Sequence, residues 1–500
     1  MSQTPPSPAH RSLLFVVILS LGVAWMIYLG VNSPGTSLHD EITHYFIARE
    51  SWTDPLRILD IWGRPGNTLF YMLPSLISLG ARRWWAVITC IAIILITTRS
   101  AARLGLRQLW LIPLTLYLQP WFVQLGFNSI TQIPFMLALT VGIDRWIAGR
   151  RGWASLCFGL LPLIRHEGLA LTAAWIGYLV ILGIVWWREQ RNAKAGALHS
   201  IPWYVIVALI PMTIWNALFF AFYGQAASGN LLNIRPTDIY GSGDWLHFLG
   251  PTIVNVGIGV FVLSLIRGAR LWREQRGALV YGLPALLYFI THTLIYRFGL
   301  FASGGYPLFL LPMAPTFALL AAFAIARLPA WMEHFGARSP IIHNRPALMR
   351  ASVVGVIGAL LLLNLVAMLR VRPWALQPNE IAAQQAADWL VVEGYQETPV
   401  FSTHVWFLWV YEGRGELVEV PGGSKLTPEQ VPSGALVLWD INYGDLNGIE
   451  LATLRAEGSG FSELQGFFGD QMVLFRKDEV SRRNKAPNVR TRRASSLWCL

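Results

Sequence analysis

Stretches of about twenty mainly apolar residues recur along the chain almost to position 370. A helix needs about that length to cross the roughly 30 Å hydrocarbon core of a bilayer, because it rises ~1.5 Å per residue. Eleven segments are expected to do so, at 12–31, 84–98, 108–125, 129–143, 153–164, 169–187, 202–223, 251–266, 278–296, 306–326 and 351–369. Charge agrees: 13% of residues are charged and 54% hydrophobic, with a mean hydropathy of +0.46. A soluble domain carries roughly 25% charged residues, so a water-soluble enzyme is excluded. The first segment is too long for a cleaved signal and no small-residue cleavage site follows it.

The loops set an orientation. Alternate ones carry Arg99, Arg103 and Arg107, then Arg145, Arg150 and Arg151, then Arg188, Arg191 and Lys194. The series continues with Arg267, Arg270, Arg273 and Arg276, and with Arg327, Arg338, Arg345 and Arg350. Cations accumulate on the cytoplasmic side, so a multi-pass protein of the cell membrane is expected. Its N-terminus is then cytoplasmic, and the long loop 32–83 and everything after 369 lie outside. The net charge of +11 therefore has a topological meaning first. The basic run 476–493 lacks interleaved aromatics and reads as a solvated tail, so no nucleic-acid partner is expected. Cys90, Cys157 and Cys499 form no C-x-x-C pair, so neither a metal site nor a disulfide framework follows from them.

Two domains and a tail are expected: a transmembrane domain at 1–369 that includes the loop 32–83, a small extracytoplasmic α/β domain at 370–476, and a basic, disordered tail at 477–500. Within the second, 381–390 has the pattern of an amphipathic helix, and 399–403, 417–420 and 435–441 read as short strands. Residues 461–468 and 472–476, joined at Gly469-Asp470, form a hairpin pattern. No fixed-period repeat is found, which weighs against the inverted-repeat design of many transporters.

The first loop holds the sharpest chemistry: Ser37-Leu38-His39-Asp40-Glu41-Ile42-Thr43-His44-Tyr45. Ser37 and Asp40 have capping-box spacing, which puts Asp40 in the first turn of a helix lying along the membrane surface. Acids there favour a helix start in any case. The functional reading is that Asp40 takes a proton from a hydroxyl nucleophile. Glu41-Ile42-Thr43-His44 is not a zinc-protease motif, because His39 and His44 are five apart rather than four.

Arg64-Pro65-Gly66, at the mouth of an apolar segment, can present a guanidinium to a lipid phosphate or simply sit among headgroups. Arg165, His166 and Glu167 interrupt an apolar stretch at its outer edge. Charges at that depth point to function: Arg165 to stabilise a departing phosphate, Glu167 to orient Arg165 or a sugar hydroxyl. An Arg–Glu pair satisfying itself is the plainer alternative. Arg297, at the outer end of the ninth segment, is a further phosphate candidate, whereas His292 reads as a buried, hydrogen-bonded residue. The loop 224–249, with Asp238, Tyr240, Asp244 and Trp245, is the best place for an acceptor lid. Most of the 23 tryptophans are expected to be interface anchors.

An external Asp-Glu pair after the first span, a surface helix, Arg64-Pro65-Gly66 and Arg165-His166-Glu167-Gly168 together resemble the GT-C superfamily of membrane glycosyltransferases. Within it the chain is similar to the bacterial relatives of protein O-mannosyltransferases and the aminoarabinose lipid A transferase. The resemblance implies a polytopic α-helical GT-C-like fold and an inverting transfer, outside the cytoplasm, from a polyprenyl-phosphate sugar. Asp40 matches the family's catalytic acid. Glu41, His44 and Glu167 are then supporting or acceptor-site residues, and Arg64, Arg165 and Arg297 bind the donor phosphate. Gly63-Arg64-Pro65 stands where the protein-mannosylating branch tends to have His-Pro-Pro, so the acceptor is left as lipid, glycan or protein. No cofactor and no metal are expected. A transporter or lipid flippase is the alternative, and an assembly subunit binding through its external domain is a third.

Overall fold

The structure is a computed structural model. It describes residues 8–189, 200–227, 242–274, 276–300, 304–336, 346–420 and 425–478. The chain divides into two compact units, one of Met1–Asn32 and His44–Pro373, the other of Ser33–Thr43 and Trp374–Leu500. Eleven residues of the first loop, expected in the membrane domain, thus belong to the C-terminal unit, and the later boundary falls at 373/374 rather than 369/370. The basic tail beyond 478 and lid positions Asp238 and Tyr240 lie outside the described residues.

The membrane unit is helical: α1 (Pro8–Val31), α2 (Asp40–Glu50, its first four residues counted with the other unit), α3 (Pro65–Ser75), α4 (Leu79–Arg103), α5 (Leu111–Tyr117), α6 (Pro120–Leu125), α7 (Gln132–Ile147), α8 (Arg151–Ile164), α9 (Gly168–Glu189) and α10 (Ser200–Tyr223). It continues with α11 (Leu249–Val256), α12 (Ile258–Glu274), α13 (Arg276–Arg297), α14 (Ala314–Gly336) and α15 (Pro346–Leu369). Among the described residues six helices are long and apolar enough to cross a membrane, or seven if one bent pair is a single span. The chain is an integral membrane protein, but the count of eleven spans is not reproduced.

Breaks and short helices account for part of the difference; 278–296 lies in α13, of 22 residues, and 306–326 is among the six although it opens in a 3-10 turn. The segment 108–125 is the short pair α5 and α6, separated ahead of Pro120, whose ring removes a backbone donor. The segments 129–143 and 153–164 are α7, of 16 residues, and α8, of 14. Residues Pro307–Met313 form a 3-10 turn ahead of α14. The segment 251–266 bends by 105° between α11 and α12, at Gly257, whose φ of +81° few residues other than glycine adopt. Asn364 of α15 satisfies this break, accepting from the N–H groups of Gly259 (2.7 Å) and Val260 (3.3 Å). Its amide donates to the carbonyls of Leu118 and Val256, both at 3.0 Å. Backbone groups freed inside apolar surroundings need such partners.

On α7, Asp144 accepts from Arg99 (2.6 Å), Arg103 and Ser100 (3.0 Å) of α4. Two of the arginines from which an orientation is expected are therefore also spent on tying α4 to α7.

In the C-terminal unit α16 (Pro378–Val392) is followed by β1 (Val400–Ser402), α17 (Val405–Tyr411), β2 (Leu417–Glu419), β3 (Leu436–Asp440), α18 (Gly444–Asn447), α19 (Leu451–Arg455), β4 (Phe461–Phe467) and β5 (Met472–Lys477). The strand order is β2-β1-β3-β5-β4. β1 is parallel to both β2 and β3, and β5 runs antiparallel to β3 and β4. Every residue of β3 is buried, as a central strand covered on both faces requires. Val437, Trp439, Val473 and Phe475 join one cluster with Ile449 and Leu454. The alternate residues Leu436, Leu438 and Leu474 face the other way, and α16 packs against β4 and β5. The β4–β5 turn carries positive φ at Phe468, Gly469 and Asp470.

Candidate active site

In the membrane unit three arginines far apart in sequence, Arg64, Arg82 and Arg165, act electrostatically on one buried histidine, His44. Arg64 is the residue before α3, with φ +61°, a strained value for a side chain other than glycine or asparagine. The turn that imposes it is held by Asp60, whose carboxylate accepts from Gly63 N–H and whose carbonyl accepts from Arg64 N–H at 2.9 Å. Asn67 and Thr68 donate back to the Gly63 carbonyl at 3.2 and 3.1 Å. Burial pushes the Asp60 carboxyl up, against the Gly63 and Trp62 amides and Arg57 and Arg64.

Gly66 brings this turn against the end of α8. A Cβ there would lie 2.8 Å from Ile164 Cγ1 and 3.1 Å from the Leu163 carbonyl oxygen. The next residue, Arg165, is only 2% exposed. It donates to Thr131 Oγ1 at 2.6 Å and to Glu167 Oε1 at 2.7 Å, with its guanidinium 4.8 Å from the Phe309 ring. Arg82, fully enclosed, donates to the Ser129 carbonyl at 3.1 Å and lies over the Tyr71 ring at 4.4 Å.

His44 of α2 is 2% exposed, and neither ring nitrogen has a hydrogen-bond partner. Burial, followed by the charges of Arg64, Arg82 and Arg165, holds its pKa well below the usual 6.5. It is therefore a neutral imidazole in a cationic enclosure. Enclosure alone would raise the Glu167 carboxyl, but Arg165, His292 and Arg64 override it and hold it below the ordinary carboxylate range. His292 Nε2 lies 3.8 Å from Glu167 Oε1. Arg165 and Glu167 thus form a charged pair within reach of Arg64 and of His292.

In the C-terminal unit Asp40, half-buried, is the first residue of α2, and Glu41 is fully buried. The turn starts from the Leu38 carbonyl to Glu41 N–H (3.1 Å) and from the His39 carbonyl to Ile42 (2.9 Å) and Thr43 (3.1 Å). Next to Asp40, His39 meets His404 edge-on, ring centroids 4.8 Å apart. The Asn379 amide nitrogen faces Nε2 of both rings at 3.4 Å, so both carry their proton on Nδ1. His39 Nδ1 then faces the Tyr443 hydroxyl at 3.5 Å. Burial lowers both imidazoles to about 3, with His404 adding to the effect on His39 and Asp440 opposing it.

The site residues read from the sequence are thus divided. Arg64, Arg165, Glu167 and His44 come together in the membrane unit, while Asp40 and Glu41 are placed by the C-terminal unit. Arg297 is exposed, 5.9 Å from the Trp245 ring, and is not among the charges acting on His44 or Glu167. Asp244 and Trp245 of the expected lid are exposed. Sequence reasoning missed Arg82, Thr131 and Tyr71. A signal existed for Arg82: with Arg83 it stands just ahead of the second apolar segment, in a loop outside the series of arginine-rich ones. Among the described residues no group of three or more His, Cys, Asp or Glu side chains is arranged to hold a metal ion.

No family model matches the sequence, and no curated protein matches it. Solved structures do. The crystal structure of ArnT from Cupriavidus metallidurans bound to undecaprenyl phosphate superposes with a TM-score of 0.60 and 13% identity, covering 96% of this chain and all of that one. The apo state of the same protein gives 0.61 and 14%, covering 94% and 98%. The chain has the ArnT fold. A third likeness, to mycobacterial arabinofuranosyltransferase AftD, has a TM-score of 0.45 at 14% identity and covers 95% of this chain and 40% of that one. At such identities the ArnT likeness fixes the architecture, and the chemistry has to be argued from this chain's own residues.

Proposed function

We infer that this chain is an inverting glycosyltransferase that moves a sugar from a polyprenyl-phosphate donor to an acceptor hydroxyl on the extracytoplasmic face of the cell membrane. The observation that carries the reading is the approach of the Arg64 turn to the end of α8, where Arg165 is buried, with Arg64, Arg82 and Arg165 all acting on buried His44. Guanidinium groups brought together at the edge of a membrane protein suit the recognition of an anion. The donor phosphate is that anion. The ArnT fold supports the choice, since one structure of that protein holds undecaprenyl phosphate.

In this mechanism Asp40 accepts the proton of the acceptor hydroxyl as its oxygen attacks the anomeric carbon. The bond from that carbon to the phosphate oxygen breaks on the opposite face, so configuration inverts. The electron pair leaves with the lipid phosphate, and the guanidinium groups stabilise the charge that develops there. The phosphate departs as an anion, so no strong general acid is required. Glu41, His44 and Glu167 support the site, Glu167 by orienting Arg165 at 2.7 Å. With Arg297 exposed beside Trp245, the donor phosphate is assigned to Arg64, Arg82 and Arg165 rather than to Arg297.

Mass spectrometry of envelope glycolipids and glycoproteins, from a strain lacking this chain and from its parent, tests the assignment. A pentose- or hexose-sized increment missing from one class of molecule is the expected result. Identical spectra contradict it. The 105° break at Gly257 favours a second reading, a transporter or flippase. Uptake of labelled lipid-linked sugar by proteoliposomes, with no covalent product, would establish that one instead.

A further inference from the structure

Glu380 is fully buried, yet it lies near the start of α16 in the C-terminal unit. One oxygen, Oε2, closes the helix start in the ordinary way, accepting from Gln377 N–H at 2.8 Å. The other, Oε1, reaches 344 residues back along the chain, accepting from Thr36 Oγ1 at 2.9 Å and Thr36 N–H at 3.4 Å. His39 Nε2 lies 3.9 Å from the same oxygen. Further bonds run alongside. Trp374 N–H donates to Ser33 Oγ at 2.8 Å, and Gly35 N–H to the Trp374 carbonyl at 3.1 Å. The approach is so close that a Cβ on Gly35 would lie 2.3 Å from the Ala375 carbonyl oxygen and 2.9 Å from Glu380 Oε2. An enclosed carboxylate is expensive unless its lone pairs are used, and here they hold a loop to a helix start.

Thr36 and His39 are the last fixed points before Asp40. We propose that Glu380 is a positioning residue for the transfer: by clasping Thr36 it sets, together with the network that holds His39, the direction in which Asp40 leaves the first turn of α2. His39, His404, Asn379 and Tyr443 form the second side of the clasp, a neutral network that holds His39 without adding charge beside the base. This rests on Asp40 being the base, as inferred above. A carboxylate misdirected by about 1 Å loses on the order of a hundredfold in rate without any loss of substrate binding.

The test uses the full-length protein with Glu380→Ala, Glu380→Gln and, in parallel, Asp40→Asn. Three quantities are read: glycosylated product in cells normalised to protein level, binding of undecaprenyl phosphate to the purified protein, and amide hydrogen exchange over 36–43 and over β3 and β5. For Glu380→Ala the expected result is product down about tenfold to a hundredfold, unchanged undecaprenyl phosphate binding, and faster exchange in 36–43 with β3 and β5 still protected. Glu380→Gln, which keeps an acceptor for Thr36, restores most of the product. Normal product in Glu380→Ala overturns the proposal, as does loss of product accompanied by faster exchange throughout β3 and β5. Normal product in Asp40→Asn would instead remove the underlying function, whatever Glu380 does.

Discussion

Arg165 and Glu167, two residues apart at the turn between α8 and α9, pair at 2.7 Å while both are largely shielded from water. The pair is more than a satisfied hairpin, because Arg165 also bonds Thr131 and lies over Phe309. It keeps a guanidinium fixed between Thr131 and Phe309, and that guanidinium holds the Glu167 carboxylate ionised.

Truncating Arg165 should therefore have two separable effects. Removing one member of a buried charge pair costs about 3–5 kcal/mol, because the other is left uncompensated. Arg165→Ala alone should lower both stability and undecaprenyl phosphate binding. In the Arg165→Ala/Glu167→Gln double variant stability should return while binding stays at least about tenfold weaker, as read by native mass spectrometry and thermal unfolding. Recovery of binding in the double variant would exclude Arg165 from the anion site.

Gly66 is the second test. An added methyl has only 2.8 Å to Ile164 and 3.1 Å to the Leu163 carbonyl, and overpacking of this kind costs about 1–3 kcal/mol. Gly66→Ala should push the Arg64 turn away from Arg165, weakening undecaprenyl phosphate binding more than it lowers the unfolding temperature. Equal binding in the two proteins would show that the spacing of the two arginines is unimportant.

Asn364 carries a purely structural prediction. Asn364→Leu leaves the Gly259 N–H and the Leu118 and Val256 carbonyls without their side-chain partner. Each buried polar group left unmet costs about 1–3 kcal/mol, so the unfolding temperature in nanodiscs should drop sharply.

The C-terminal unit should lose stability on mild acidification. His39 and His404 fall from 6.5 in the unfolded chain to about 3 when folded. As pH drops below 6.5 the unfolded state binds protons that the folded state refuses. Stability therefore falls, by up to about 1.4 kcal/mol per pH unit for each imidazole, until pH approaches the folded values. Asp440, raised from 3.8 by burial despite bonds from Thr403, Tyr443 and Asn442, acts in the opposite sense close to its own range. Glu380 and Tyr443 are the other titratable groups facing the pair. Hydrogen exchange of β3 and β5 at pH 7.5 and 5.5 should show weaker protection at the lower pH and a flatter response in His404→Gln. Protection that rises on acidification would contradict the neutral assignment.

The C-terminal sheet was legible in the sequence because its strands are short apolar runs bounded by turn residues. The pattern 435–441 became Leu436–Asp440, and the hairpin about Gly469-Asp470 became β4 and β5. Asp40 fell in the first turn of a helix, as its capping pattern implied. Hydropathy misled where it averages over breaks: it sees the apolar character of 108–125 and 251–266 but not the interruption ahead of Pro120 or the bend at Gly257. Arg82 was hidden because its environment is made by Tyr71 and the Ser129 carbonyl, 47 residues on. The membership of Ser33–Thr43 in the C-terminal unit depends on Glu380, and no local pattern encodes a partner 344 residues away.

The most direct measurement is transfer by Asp40→Asn. The substitution keeps the shape of the side chain and removes its capacity to take a proton. With membranes carrying endogenous lipid-linked sugar, product formation should fall about 100-fold or more, while undecaprenyl phosphate binding and the amount of inserted protein match the unaltered chain. Product formed at close to the unaltered rate would contradict the account.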